Sequence, residues 1–278
     1  MDVYEEIILL RREGRTCALA SIINTVGSIP GSASAKMLVR DDGSIVGTIG
    51  GGAAELEVIQ LAREVIEREK PQTLSFNLTQ RPGIDAGLVC GGSLDVFVEP
   101  IVPSPTLYVF GAGHCALATY HVARSVGFEV VIIDDREAFA NRERFPDAKA
   151  IIAAELEVAI LQLAPNASSY IVSLTPGHIT DMRVLRWALG TKARYIGMMG
   201  SRRKVTGIFQ ELQKEGVPPE SFAKVHAPIG LDIGADNPEE IAISIVAELI
   251  ACRRRCEAAL ARRRLRPEEE AIRPPKLA

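Results

Sequence analysis

Cys90 stands in Leu88-Val89-Cys90-Gly91-Gly92-Ser93, with two apolar residues before it and two glycines after. A thiol in a glycine turn is more accessible than one inside a strand, which makes Cys90 the candidate reactive thiol; the alternative is a small buried hydrophobe. Gly47–Gly52 (GTIGGG) precedes a helical pattern, so Gly50, Gly51 and Gly52 either cradle an anion on free N–H groups or only turn the chain. Glu55 and Glu57, just beyond, read as helix-face residues. Thr175-Pro176-Gly177-His178-Ile179-Thr180-Asp181 follows an apolar strand, and His178 with Asp181 reads as an acid/base pair, or His178 as a turn cap. Ser201-Arg202-Arg203-Lys204 opens a helix with basic residues, which oppose the helix dipole, so Arg202 and Arg203 point to a bound anion or a carboxylate partner. The glycine-containing stretch from His226 to Asp236 is of the kind that lines sites or turns the chain.

The most ordered of these patterns is Gly111-Ala112-Gly113-His114-Cys115-Ala116, which follows the apolar run Leu107–Phe110 and opens a helix. Its first glycine permits a tight turn, its second lets a pyrophosphate approach the backbone, and Ala116 fills a position that tolerates only a small residue. Asp134 ends the next strand, at the interval expected of a carboxylate that accepts from a ribose 2′-OH. In that role it favours NAD over NADP; otherwise it is a satisfied turn residue beside Asp135. The positive helix end can lower the Cys115 pKa, or Cys115 is simply packed small.

These residues need scaffolds to hold them. Residues 2–13 predict an amphipathic helix stopped at Gly14, 17–26 a strand, and AKMLVR and SIVGTI a hairpin about Asp41-Asp42-Gly43. A helix over AAELEVIQLAREVIEREK, then PQTLSFNL and SLDVFVEP, complete a small α/β domain over residues 1–100. Two prolines in Ile101-Val102-Pro103-Ser104-Pro105-Thr106 mark the boundary. Over 106–262, strands at 107–110, 148–154, 168–175 and 193–200 alternate with helical patterns, the signature of a Rossmann-type, doubly wound parallel sheet. Asn237-Pro238-Glu239-Glu240 caps the last helix, and 263–278 reads as a charged tail.

Composition narrows the classes. The chain has 278 residues, 47% hydrophobic and 24% charged, with net charge -3, which gives no general field for nucleic acid. No run is apolar enough to span a bilayer and the first residues do not read as a signal peptide, so a cytoplasmic location is expected. Five scattered cysteines fit a reducing compartment, with Cys17 in the core and Cys252 and Cys256 on one helix face. The sequence contains no phosphate-binding G-x-x-x-x-G-K-[ST] loop, no H-E-x-x-H, no clustered Cys/His zinc set and no convincing hydrolase triad.

Taken together, residues 27–39, GTIGGG, CGGSLDVFVEP, FGAGH, IGMMGSRRK and HAPIGLDIGA resemble the XdhC/CoxI family, accessory factors of xanthine dehydrogenase and related molybdenum hydroxylases. The resemblance implies an N-terminal XdhC/CoxI-type domain before a Rossmann domain, frequent dimers, and a cofactor-handling protein rather than an enzyme. It implies binding of molybdenum cofactor during sulfuration by a cysteine desulfurase, and insertion into a xanthine dehydrogenase-like client. On that analogy Cys90 contacts the metal, Gly50, Gly51 and Gly52 approach the ligand, and Arg202 and Arg203 meet its phosphate. Gly111, Gly113, His114 and Asp134 form the NAD(P)-type site, whose alternative use is as an NAD(P)-dependent oxidoreductase. The chain departs from the family pattern at Ser28-Ile29-Pro30-Gly31, at Ala53 where many members have cysteine, at Asp85-Ala86-Gly87 and at Cys115-Ala116.

Overall fold

The computed structural model describes residues 2–27, 32–77 and 92–256. Cys90 and the departures at Ser28–Gly31 and Asp85–Gly87 lie outside the described residues, as does the tail from 263. The chain divides into two compact units, Met1–Ser104 and Pro105–Ala278.

The first unit is built on an antiparallel sheet. Its strands are β1 (Cys17–Val26), β2 (Lys36–Arg40), β3 (Ile45–Gly47), β4 (Gln72–Asn77) and β5 (Ser93–Ile101), in the order β3-β2-β1-β5-β4. Each neighbouring pair runs antiparallel. A helix covers each face. α1 (Val3–Arg12) packs Leu10 with Leu19 and Leu38, while α2 (Gly52–Arg68) packs Val58, Ala62 and Val65 on Ala18, Ala20, Val96 and Val98. Covering both faces explains why Cys17, Ala18, Leu19 and Ala20 are buried in succession instead of alternating. α1 starts where the Asp2 N–H donates to the Glu5 carboxylate at 3.1 Å and stops at Gly14, whose φ is +70°.

The second unit is the doubly wound sheet. β6 (Thr106–Phe110), β7 (Glu129–Asp134), β8 (Ala150–Ala153), β9 (Ser169–Ser173), β10 (Tyr195–Met198) and β11 (Val225–His226) lie in the order β11-β10-β9-β6-β7-β8. All pairs are parallel. α3 (His114–Ser125) and α7 (Pro238–Arg253) cover one face; α4 (Leu156–Ile160), α5 (His178–Leu189) and α6 (Arg202–Lys214) cover the other. β6, β9 and β10 are therefore buried along their whole length, which suits the apolar residues that dominate them. From β6 the chain first steps outward to β7 and β8, then returns to β9 and steps the other way. The carboxyl ends of β6 and β9 thus flank the switch point where open α/β sheets take ligands. α7 begins as the sequence predicts: Asn237 accepts from the Glu240 N–H at 2.9 Å and Pro238 holds the first helical position.

Candidate functional site

At the end of β6 the chain turns on Gly111, whose φ is +101° and whose N–H donates to the Ile133 carbonyl at 2.7 Å. A Cβ there would lie 2.6 Å from the Leu174 carbonyl oxygen, so glycine is required both by the backbone and by the exit of β9. Gly113 is different. It has a φ of -70°, and a Cβ added to it would meet nothing within 4 Å. Neither strain nor packing asks for glycine at that point, and the missing side chain leaves an open approach to the start of α3. Gly113 is also the N-cap of α3 and offers no capping oxygen, so the first-turn N–H groups receive no side-chain cap. Ala116 is buried against the sheet, as its position in the motif requires. His114 is exposed on the first turn.

Asp134 lies below this turn and is nearly engulfed, with 3% of its side chain exposed. One carboxylate oxygen accepts from the Ala112 N–H at 2.7 Å and from the Arg136 guanidinium at 2.8 Å. The other accepts from the Arg136 backbone N–H at 3.0 Å and its Nε at 2.8 Å. Burial by itself would raise the Asp134 pKa. The bonds from Arg136 and Ala112 outweigh it and hold the carboxyl below the usual carboxylate range. Arg136 lies over the Phe139 ring at 4.2 Å, and Arg144 approaches that ring at 5.0 Å. Arg144 also donates to the Ala112 carbonyl at 2.6 Å. Sequence reading singled out Asp134 but neither arginine. The cue available in the sequence was Arg136 two residues on, close enough to fold back on the carboxylate.

The cysteine on α3 behaves as the second of its two readings. Burial, followed by the charge of Glu239, raises the Cys115 pKa, so this thiol stays protonated despite the helix end. Cys17 is fully buried and pushed up to about 11, chiefly by desolvation. Cys252 is half-buried in the last turn of α7, whereas the helix ends at Arg253 and Cys256 stands beyond it. The two therefore do not share a helix face.

His178 and Asp181 are not an acid/base pair. Asp181 is fully buried; one oxygen accepts from the Ser173 hydroxyl at 2.6 Å and the Thr175 hydroxyl at 2.8 Å, and the other pairs with Lys204. His178 is exposed at the start of α5. The buried carboxylate joins the N-terminal ends of α5 and α6 through Lys204, so its partners are two hydroxyls and an ammonium and not the exposed imidazole. Lys204 is thus the basic residue with the carboxylate partner. Arg202 and Arg203 are exposed and have no ion pair among the described residues. Arg203 borders an open groove of about 970 Å³ with His178, Ile179, Met182 and Ile208.

In the first unit, Gly50, Gly51 and Gly52 have φ values of +124°, +78° and +73°. The Glu55 carboxylate folds back into this turn, accepting from the Ile49 and Gly51 N–H groups at 3.2 Å each and from the Thr48 hydroxyl. Glu55 is thus more than a helix-face residue: the nest the sequence offers to an anion holds the chain's own.

One polar cluster centres on a residue that sequence reading did not single out. Glu248 on α7, 1% exposed, accepts from the Tyr195 hydroxyl at 2.6 Å and the Gly230 N–H at 2.7 Å, and lies 3.1 Å from His226 Nδ1. Burial would raise its pKa, but the His226 and Tyr195 contacts keep it below the usual range. The cluster fixes the loop after β11 to α7. Among the described residues no group of three or more His, Cys, Asp or Glu side chains is placed to hold a metal.

Comparison with known proteins agrees with this architecture. A family description of the XdhC Rossmann domain matches residues 107–249, and that of the XdhC and CoxI family matches residues 10–77. The chain is 35% identical over 252 residues to the uncharacterized protein YqeB of Escherichia coli K12, covering 90% of this chain and 46% of that one. It is 22% identical over 290 residues to the molybdenum cofactor insertion chaperone PaoD of the same organism, covering 86% and 84%. The chain spans about half the length of the two curated relatives to which it is more than 30% identical. A crystal structure of a xanthine dehydrogenase from Bacillus halodurans shares the fold, with a TM-score of 0.50 and 23% identity over 92% of this chain and 96% of that one. With the Rossmann-domain match alone spanning more than half its length, this chain belongs to the XdhC and CoxI family.

Proposed function

We propose that the chain is an accessory factor that holds molybdenum cofactor and assists its sulfuration and insertion into a xanthine dehydrogenase-like molybdenum hydroxylase. The observation that carries this reading is the match of both units to the XdhC and CoxI family; Gly113, a glycine demanded by neither backbone strain nor packing at the switch point of a Rossmann sheet, marks a separate phosphate approach. A bare N-cap with open space beside it suits the approach of a ligand phosphate. Family membership and the insertion role named for PaoD supply the identity of the cargo.

The residues present fit a phosphorylated ligand. Exposed Arg202 and Arg203 offer forked donors suited to a phosphate. Cys90, on the resemblance alone, is the thiolate for the metal. When bound, the cargo supplies a metal centre whose terminal ligand is exchanged; the chain's part is to hold the ligand's anionic groups and restrict water. A cysteine desulfurase and the client hydroxylase are the partners this reading requires, and a homodimer is the expected assembly. The β6–α3 turn we assign to the pyrophosphate of a nucleotide. Use of that turn for hydride transfer, the alternative function, would need a proton-transfer group other than the His178–Asp181 pair, because Asp181 is committed to Lys204.

The test is anaerobic purification from a molybdate-supplied host, with metal and pterin measured for the wild type, Cys90→Ala and Gly113→Ala. Stoichiometric cofactor in the wild type that falls in Cys90→Ala is the expected result. A wild type that carries no cofactor would overturn the reading.

A further inference from the structure

We infer that the nucleotide site at the ends of β6 and β7 is built for a ribose that carries a phosphate, with Arg136 as the residue that selects it. This rests on the assignment of the β6–α3 turn to a nucleotide and reverses the preference for NAD expected from Asp134.

The argument begins with the acceptors of Asp134. An ionised carboxylate offers about four lone-pair sites. Here four donors take them: the Ala112 N–H, the Arg136 N–H, and the Nε and terminal N–H of the Arg136 guanidinium, all between 2.7 and 3.0 Å. With 3% of its side chain exposed, Asp134 has neither a free acceptor nor a free surface for a ribose hydroxyl. Its charge is also balanced in place by the guanidinium, so the repulsion that ordinarily rejects a 2′-phosphate is cancelled where it would arise.

Arg136 then presents what is left of its fork. Two of its three nitrogens grip Asp134, yet 41% of its side chain is exposed, so the far edge of the guanidinium faces outward beside the buried carboxylate. Phe139 lies 4.2 Å from the guanidinium carbon and holds its plane from one side. Arg144 lies 5.0 Å from the same ring and is itself anchored to the Ala112 and Phe139 carbonyls at 2.6 and 2.9 Å. The guanidinium is thus fixed before any ligand arrives, the arrangement that lets an arginine donate two bonds to a phosphate. Asp135 is the competing group: 57% exposed and 4.0 Å from the Arg136 Nε, it is the accessible carboxylate at this position. A site that reads an unmodified ribose would have to use Asp135, and a site that reads a phosphate must tolerate it.

NADPH and NADH separate the two, because they differ only in the 2′-phosphate and report binding through the same nicotinamide fluorescence. Titrated into the full chain, NADPH is expected to bind at least tenfold tighter than NADH, with 2′-AMP displacing it better than 5′-AMP. Arg136→Gln, which keeps amide donors near Asp134, should bring the two dinucleotides to parity. Tighter or equal binding of NADH by the wild type would overturn the inference, and this comparison does not depend on whether the variant folds. Gly113→Ala tells which assumption failed. If the wild type binds both nucleotides equally and Gly113→Ala abolishes binding, the nucleotide site stands and the selectivity is wrong. If the wild type binds neither, both fall.

Discussion

Among the glycine turns that open helices, the one before α2 and the one before α3 each enclose a carboxylate of the protein itself. In the first unit the carboxylate is Glu55, from the first turn of the helix, and it reaches back over the nest where an external anion would go. In the second it is Asp134, from the neighbouring strand, and it binds the turn from beneath. The first arrangement fills the approach; the second stiffens the turn and leaves the approach open. The glycines follow the same division. Gly50, Gly51 and Gly52 all have positive φ and serve the fold, whereas Gly113 has an ordinary backbone and serves nothing within its own chain. A glycine-rich turn before a helix is therefore poor evidence of a ligand until the need for each glycine is known.

The comparison can be broken at several points, most forcefully at Gly111. Gly111→Ala puts a Cβ against the Leu174 carbonyl at a positive φ, and should cost about 3 kcal/mol or more by denaturant unfolding. A loss under about 1 kcal/mol would mean the turn can move, and that its shape is not set by β9. Glu55→Ala removes an acceptor from two backbone N–H groups and a hydroxyl, with an expected loss of about 1–2 kcal/mol. Added phosphate should not restore that stability if the first turn exists only to be filled from within; recovery of the unfolding midpoint would reclassify it as an anion site.

Asp134 gives a pH signature. Its folded pKa lies below the unfolded value of about 3.9, so the stability it adds is present above that pH and is lost as pH falls through the folded value. Asp134→Asn should flatten the acid limb of a stability–pH curve below about pH 4. An unchanged limb would show that the carboxylate is not held by Arg136 in solution. The smallest effect on stability belongs to Gly113→Ala, within about 0.5 kcal/mol of wild type, because the methyl enters empty space. A large loss there would remove the distinction between the two turns.

Much of this scaffold is legible in the residues. Turn chemistry locates the β2–β3 hairpin, apolar residues at helical spacing locate α2, and strand-glycine-helix order locates the Rossmann unit. The arrangement of β3-β2-β1-β5-β4 is not legible, since pairing β1 with β5 joins segments some seventy residues apart, with no local pattern to announce it. The site is divided in the same way. Spacing finds Gly111, Gly113 and Asp134, but not whether the carboxylate is free, because that depends on a guanidinium held by Phe139. His178 and Asp181, three residues apart at a helix start, look like a pair in one dimension. The partner Asp181 takes is Lys204, brought in from α6 by the parallel crossover between β9 and β10. Glu248 is hidden for a related reason: a lone acid in an apolar helical run is uninformative until Tyr195, His226 and Gly230 converge on it.

The six-stranded sheet narrows toward both margins: β7 has six residues, β8 has four, and β11 has only two. A margin of two or four residues exposes few unsatisfied amide and carbonyl groups for a foreign strand to template on. The parallel sheet is thus shielded from edge-to-edge aggregation by the brevity of its outer strands.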